Sequence, residues 1–221
     1  MPSETFFNLP EEKQRKIIDV AIEEFAENPY EAASISQIVR RTGIAKGSFY
    51  QYFEDKRDLY LHLFDMIIQE KQAFLQQTPP PDEDVDVFEH LRWVARAGAN
   101  FELSHPKLAK FGYRVVTDDV PLPEETLKIA RSGGRVFFEQ FMRNGVEQGV
   151  IDPNVDAGVA AFLFDLITVH YGKYMVDRLE ITPEELTTSE RYPLDTTEGE
   201  ELFDALVDIL QNGLGPREAR K

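Results

Sequence analysis

S-I-S-Q-I-V-R-R-T-G-I-A-K-G-S-F-Y-Q-Y-F-E-D-K, Ser34 to Lys56, reads as two short helices joined by a glycine turn. Ser34 followed three residues later by Gln37 is a capping-box pattern that starts a helix. Ile35, Ile38 and Val39 give that helix one apolar side, and Gly43 ends it on a residue that tolerates a left-handed backbone. Ile44 plugs the turn, and a second helix is predicted from about Ala45 to Tyr52. On a helical wheel Phe49 and Phe53 fall together and pack inward. Gly47, Ser48, Tyr50 and Gln51 are left pointing away, with Lys46 at the margin and Tyr52 partly inward. Helix, tight turn and a second helix showing small, polar and aromatic groups suit entry into a DNA major groove. The plainer alternative is a three-helix subdomain with a solvated charged face.

Charge favours the first reading. From Arg40 to Arg57 there are five bases (Arg40, Arg41, Lys46, Lys56, Arg57) against two acids (Glu54, Asp55), while the whole chain carries a formal charge of −16. Attraction to phosphate fades within roughly a Debye length, about 8–10 Å at cellular salt, so a local basic island matters more than the total. Ser34 and Ser36 occupy the first turn of the first motif helix, where backbone N–H groups favour a phosphate. Gln51 has the donor and acceptor to read adenine at the groove floor.

The run T-G-I-A-K-G-S-F-Y-Q-Y-F-E-D-K-R-D-L resembles the N-terminal signature of the TetR/AcrR family of bacterial transcriptional regulators, and I-I-D-V-A-I-E-E-F-A-E-N at Ile17 to Asn28 resembles that family's first helix. The likeness spans roughly residues 10 to 62; the link Asn28 to Ala33 departs from the short Gly-aromatic turn usual there. The resemblance implies an all-α chain with an N-terminal three-helix DNA-binding domain (1–56) and a C-terminal helical ligand-binding and dimerisation domain (57–221). It implies that Lys46, Gly47, Ser48, Tyr50 and Tyr52 meet bases and phosphates, and that Lys56 contacts a phosphate. It further implies a homodimer on a near-palindromic operator, most simply a repressor released by a small, apolar or amphipathic effector. Two rivals are a ligand-independent dimeric DNA binder and an all-α interaction or catalytic module without DNA binding.

Outward from the motif, helical periodicity covers most of the chain. A first helix is expected from near Pro10, with Ile17, Ile18, Ala21, Ile22 and Phe25 as its apolar stripe, until Asn28-Pro29 ends it. A fourth begins at Asp55 and runs to Pro79-Pro80-Pro81; bridging both domains, it is the expected lever for signal transfer. Further helices are predicted near Val85–Leu103, Lys107–Thr117, Glu124–Gln148, Asp156–Leu179 and Glu200–Asn212, with a frayed end beyond Gly213. Ser132-Gly133-Gly134 marks close packing or a kink in the third of these. The fourth is apolar on nearly every side, so part of it should meet another subunit. Glu180 to Gly199 reads as a polar loop or short helix.

Chemistry beyond binding finds little support. With 221 residues, 42% of them hydrophobic, the chain has ample material for a core, and with no cysteine it has neither disulfides nor thiolate metal sites. His62, His90, His105 and His170 are too scattered for a metal motif, and neither a phosphate-binding glycine loop nor a nucleophile elbow occurs, so no catalytic residue, metal or cofactor is assigned. No leader pattern or membrane-spanning run is visible, and a cytoplasmic location is expected. Trp93, Phe101, Phe111, Phe137, Phe141, Tyr171 and Tyr174 either fill a core or line an effector cavity, with His170 and Tyr174 as polar handles on one helix face. Residues 61–221 hold 16 bases and 29 acids, which favours neutral or cationic effectors.

Overall fold

A computed structural model of the chain describes residues 1–77, 81, 85–181, 194 and 196–214. Among these all regular structure is helical: α1 Glu4–Phe7, α2 Glu11–Glu27, α3 Ile35–Thr42, α4 Lys46–Tyr52, α5 Lys56–Gln77, α6 Val87–Ser104, α7 Pro106–Thr117, α8 Glu124–Glu147, α9 Ala157–Arg178 and α10 Thr197–Leu214. The stop expected at Pro79 and Pro80, most of Glu180–Gly199 and the end beyond Leu214 lie outside the described residues. No described helix is long and apolar enough to cross a membrane.

Helix starts follow local chemistry. Asp55 Oδ1 accepts the Asp58 N–H (2.8 Å), Asp86 Oδ1 accepts from Phe88 and Glu89 N–H (2.8 and 3.1 Å), and Asp156 Oδ1 accepts from Val159 N–H (2.9 Å). Each aspartate thereby satisfies N–H groups at the start of α5, α6 and α9 that have no partner within their own helix. α8 continues as helix through Ser132-Gly133-Gly134.

Packing divides the chain into two compact units, Met1–Phe74 with His105–Ala130, and Leu75–Ser104 with Arg131–Lys221. The expected division at residue 56 follows roles; packing groups most of α5, all of α7 and the start of α8 with the N-terminal motif. In the first unit Ile17, Ala21, Phe25, Ile38, Phe49, Phe53, Leu59 and Tyr60 form one core that also takes in Phe111 and Val115 of α7. α1 was not foreseen. Its Phe6 is buried against Phe53 (ring centroids 5.0 Å), and Ser3 N–H donates to the Tyr52 carbonyl, closing the end of α4.

In the second unit α6 packs against α9 and α10. Phe88 and Leu91 join Phe138, Phe141, Phe164 and Val207, while Ala95, Ala99 and Leu103 meet Met175 and Phe203. The two helices come close at Gly172, where an added Cβ would stand 3.1 Å from the Ala99 Cα. A branched side chain there has to push one helix off the other. Gly172→Val is therefore expected to cost roughly 1–3 kcal/mol, read as a lower thermal midpoint.

Candidate nucleic-acid interface

α3 ends as its sequence requires: Gly43 has φ 75°, and its N–H reaches the Val39 carbonyl at 3.0 Å. That turn sends α4 across α3 while Ile38 and Phe49, both at 0% exposure, lock the pair from below. With Phe49 inward, the opposite side of α4 is thrown outward. Lys46, Gly47 and Gln51 are exposed, Ser48 is half-buried, and Tyr50 is 51% exposed. At Gly47 a Cβ would meet nothing within 4 Å, so internal packing does not demand glycine there.

The start of α3 is built differently from the capping-box expectation. Ser34 makes no side-chain capping bond, and its N–H donates to Glu24 Oε1 at 2.9 Å. Glu24 is buried on α2, ten residues earlier, and no local pattern announces it. Ser34 is half-buried and Ser36 exposed.

Two expected contacts lie elsewhere than on the open face. Tyr52 is 5% exposed and its ring packs toward Phe6 at 6.2 Å, which leaves little of it for DNA. Lys56 Nζ donates to the carbonyls of Tyr30, Glu31 and Ala33 (2.7, 3.3 and 3.2 Å) and sits 4.4 Å from the centroid of the Tyr30 ring. Its charge ties down the link between α2 and α3, the segment that departs from the family's usual turn. Tyr30 closes that link from inside, stacking on Phe25 at 6.1 Å.

The basic island is also partly neutralised. Arg41 pairs with Glu23, which pairs on its other side with Lys107 of α7. The hydrogen bond from Lys107, helped by Arg41, holds the Glu23 carboxyl below its usual range. Arg114, about two turns further along the same face of α7, donates to the Ala26 and Glu27 carbonyls at the end of α2 (2.8 and 3.0 Å) and to Asp118 (2.8 Å). A guanidinium at a helix C-terminus meets both unpaired carbonyls and the negative end of the dipole. α7 is thus pinned to α2 at both ends, and through Glu23 to the Arg41 of α3. Sequence reading missed the pins between α7 and α2 because each joins residues more than 80 positions apart.

Among the described residues the eight expected effector residues fall in separate neighbourhoods. Phe111 belongs to the first unit's core, its ring 4.8 Å from that of Tyr60. Phe101 is buried. Tyr171 stacks on Tyr174 at 5.6 Å and donates to the Leu202 carbonyl, while Tyr174 and His170 are exposed. Trp93, Phe137 and Phe141 do share a neighbourhood, joined by His90, whose ring lies 5.5 Å from both Trp93 and Phe141. There a recess of about 240 Å³ is lined by Val87, His90, Phe137, Gln140, Phe141 and Asn144. Burial pushes the His90 imidazole toward its neutral form. No group of three His, Asp or Glu suited to a metal ion occurs among the described residues.

Residues 17–63 match the family model for bacterial regulatory proteins of the tetR family, and residues 85–215 match that for the tetracyclin repressor-like C-terminal domain. The crystal structure of a TetR family transcriptional regulator from Chloroflexus aurantiacus J-10-FL superposes with a TM-score of 0.89 at 42% identity, over 98% of this chain and 100% of that one. The HTH-type transcriptional regulator SrpR of Pseudomonas putida is 25% identical over 70% of each chain. The fatty acid metabolism regulator protein of Bacillus subtilis is 42% identical over 52 residues, and there the chain spans only 27% of that relative. The transcriptional regulator FadR from Bacillus subtilis, solved with stearoyl-CoA, shares the fold at a TM-score of 0.60 and 19% identity, over 90% of this chain and 98% of that one.

Proposed function

The chain belongs to the tetR family of bacterial regulatory proteins, so it is a DNA-binding transcriptional regulator and not an enzyme, and from that premise we propose a dimeric, cytoplasmic repressor that a small molecule releases from a palindromic operator. The observation that carries the reading is the outward face of α4, held on a side chain with no exposure at all. Lys46 and Tyr50 meet phosphate and base edges, Gln51 reads adenine, and Ser48 adds a hydroxyl. Gly47 lets the sugar-phosphate backbone come close. Ser34 and Ser36 take the flanking phosphate at the start of α3. Tyr52 and Lys56 serve from behind, holding α4 and the α2–α3 link at the angle the groove requires.

Regulators of this family bind operators as dimers, and α9 offers the surface for a second copy. Val159, Phe162, Leu163 and Leu166, spaced i, i+3, i+4 and i+7, are 39–59% exposed, and Tyr174 extends the same side. Lone exposed apolar residues are ordinary; a continuous helical stripe of them marks an interface. Two copies present two recognition helices, so half-sites should lie about 34–36 Å apart, or a multiple of that. Selection of duplexes from a random pool should enrich a near-palindrome with that spacing. A pool that stays random, or yields single half-sites only, would overturn the reading.

Release needs a route from effector to α4. α6 passes into α7 through His105 alone, and α7 is pinned to α2 and, through Glu23, to α3. α5, whose residues fall in both units, is the lever through which effector binding changes the spacing of the recognition helices. The effector must prefer the non-DNA spacing, and moving a balance from 1:99 to 99:1 takes about 5.5 kcal/mol of that preference.

A further inference from the structure

α6 has two distinct faces. One carries Phe88, Leu91, Ala95 and Ala99 into the packing with α9 and α10, and beside it Arg92 and Arg96 pair with Glu200. The other carries His90, Trp93, Ala97 and Asn100, whose i, i+3, i+7 and i+10 spacing sets all four on one side. Ala97 and Asn100 are 1% and 3% exposed. Trp93 Nε1 and Asn100 Oδ1 are shut off from solvent, and neither has a hydrogen-bond partner among the described residues. Native folds keep few such orphans, and each calls for a reason. Here a donor and an acceptor belong to residues on the same helix face, two turns or about 10 Å of helix rise apart. At the Trp93 end lies the recess beside His90, and its lining holds no Asp, Glu, Lys or Arg.

We propose that the effector of this chain is an uncharged, largely apolar molecule that accepts a hydrogen bond from Trp93 Nε1–H and donates one to Asn100 Oδ1, through two separate hydroxyl- or amide-type groups. The inference rests on the reading that the second unit binds an effector. A carboxylate would satisfy Trp93 yet face the Asn100 carbonyl as a second acceptor, and the recess has no cation to repay its lost hydration. An ammonium would satisfy Asn100 yet leave the Trp93 N–H unmet. A neutral molecule with a hydroxyl at each end answers both orphans without burying charge.

Trp93 is the only tryptophan of the chain, so its emission reports on this face directly. The test titrates the full-length protein with 1,10-decanediol and with decanoate at neutral pH, followed by Trp93 fluorescence, calorimetry and release of operator DNA. The diol should shift the emission, dissociate the operator complex and bind about tenfold or more tightly than decanoate. Asn100→Leu should weaken the diol about tenfold while its thermal midpoint stays at or above that of the native chain, because the buried orphan is gone. Trp93→Phe, read by calorimetry, should weaken it by a similar factor and covers the case of a poorly folding Asn100 variant. Equal or tighter binding of decanoate overturns the uncharged ligand, and native diol affinity in both variants overturns the two residues. If neither probe, nor decyltrimethylammonium, moves the emission or the operator complex, the effector reading fails as well. Failure of this inference alone appears instead as binding by a charged probe.

Discussion

A chain carrying Phe162→Glu and Leu166→Glu is expected to sediment as a single copy and to hold its operator about 100-fold or more weakly than the native chain. Both side chains lie on the exposed stripe of α9, at 54% and 39% exposure, so little of the single chain's own core depends on them. In a dimer they would sit at the centre of the buried patch. Two glutamates there, facing two more from the partner copy, lose hydration with no cation to pair, which costs several kcal/mol. Once the copies part, each recognition helix binds alone, and the factor of about 10²–10⁴ gained by linking two half-sites disappears. Helix content and affinity for a single half-site should stay close to native. Sedimentation equilibrium and gel shift with full and half operators check this; a variant that remains dimeric would move the interface off α9.

The second large effect belongs to α4. Tyr50→Ala and Lys46→Ala should each cost about 1–3 kcal/mol of operator binding, a loss of roughly 5- to 150-fold, with the melting curve little changed. Tyr50 is half exposed and its ring meets Phe49 edge-on at 5.3 Å, so its loss opens no enclosed cavity. The two losses should differ in kind. Lys46→Ala weakens all duplexes alike and lowers the salt slope of binding by about one unit, the signature of a missing phosphate contact. Tyr50→Ala should bear more on the choice of sequence than on the slope. Native affinity in both variants would remove α4 from the groove.

The contrast between Lys46 and Lys56 shows where sequence reading stops. Both are lysines in one basic run, and local charge treats them alike. Lys46 stands exposed on α4, whereas the Lys56 ammonium is occupied by three backbone carbonyls and a tyrosine face. Those carbonyls come from a link 23 to 26 residues earlier, placed beside Lys56 only by folding. The Ser34 cap went the same way. Gln37 has the right spacing for a capping box, but Glu24, swung in from α2, takes the amide. Among the aromatics, sequence reading treats Phe111 and Phe137 alike, as residues that fill a core or line a cavity. Phe111 lies in the first unit's core and Phe137 is 45% exposed at the recess. A wheel gives a direction around one helix and says nothing about what stands opposite.

What the amino-acid order determined alone lay within one or two helical turns. Aspartates at 55, 86 and 156 start helices because their carboxylates reach amides two or three residues on. Gly43 stops α3 because it alone there enters the left-handed region without strain. The period of the apolar residues set the helices' extent and kind, and the surplus of them on α9 called for a partner. Tertiary structure decided which charges remain available, which aromatics meet, and which helices pack together. Glu23 between Arg41 and Lys107, Arg114 on the end of α2, and the Trp93 and Asn100 atoms left without a hydrogen-bond partner among the described residues all depend on distances between segments remote along the chain. Capping and periodicity act over a few bonds and survive in an isolated stretch; a salt bridge or a buried orphan exists only after the core has closed around it.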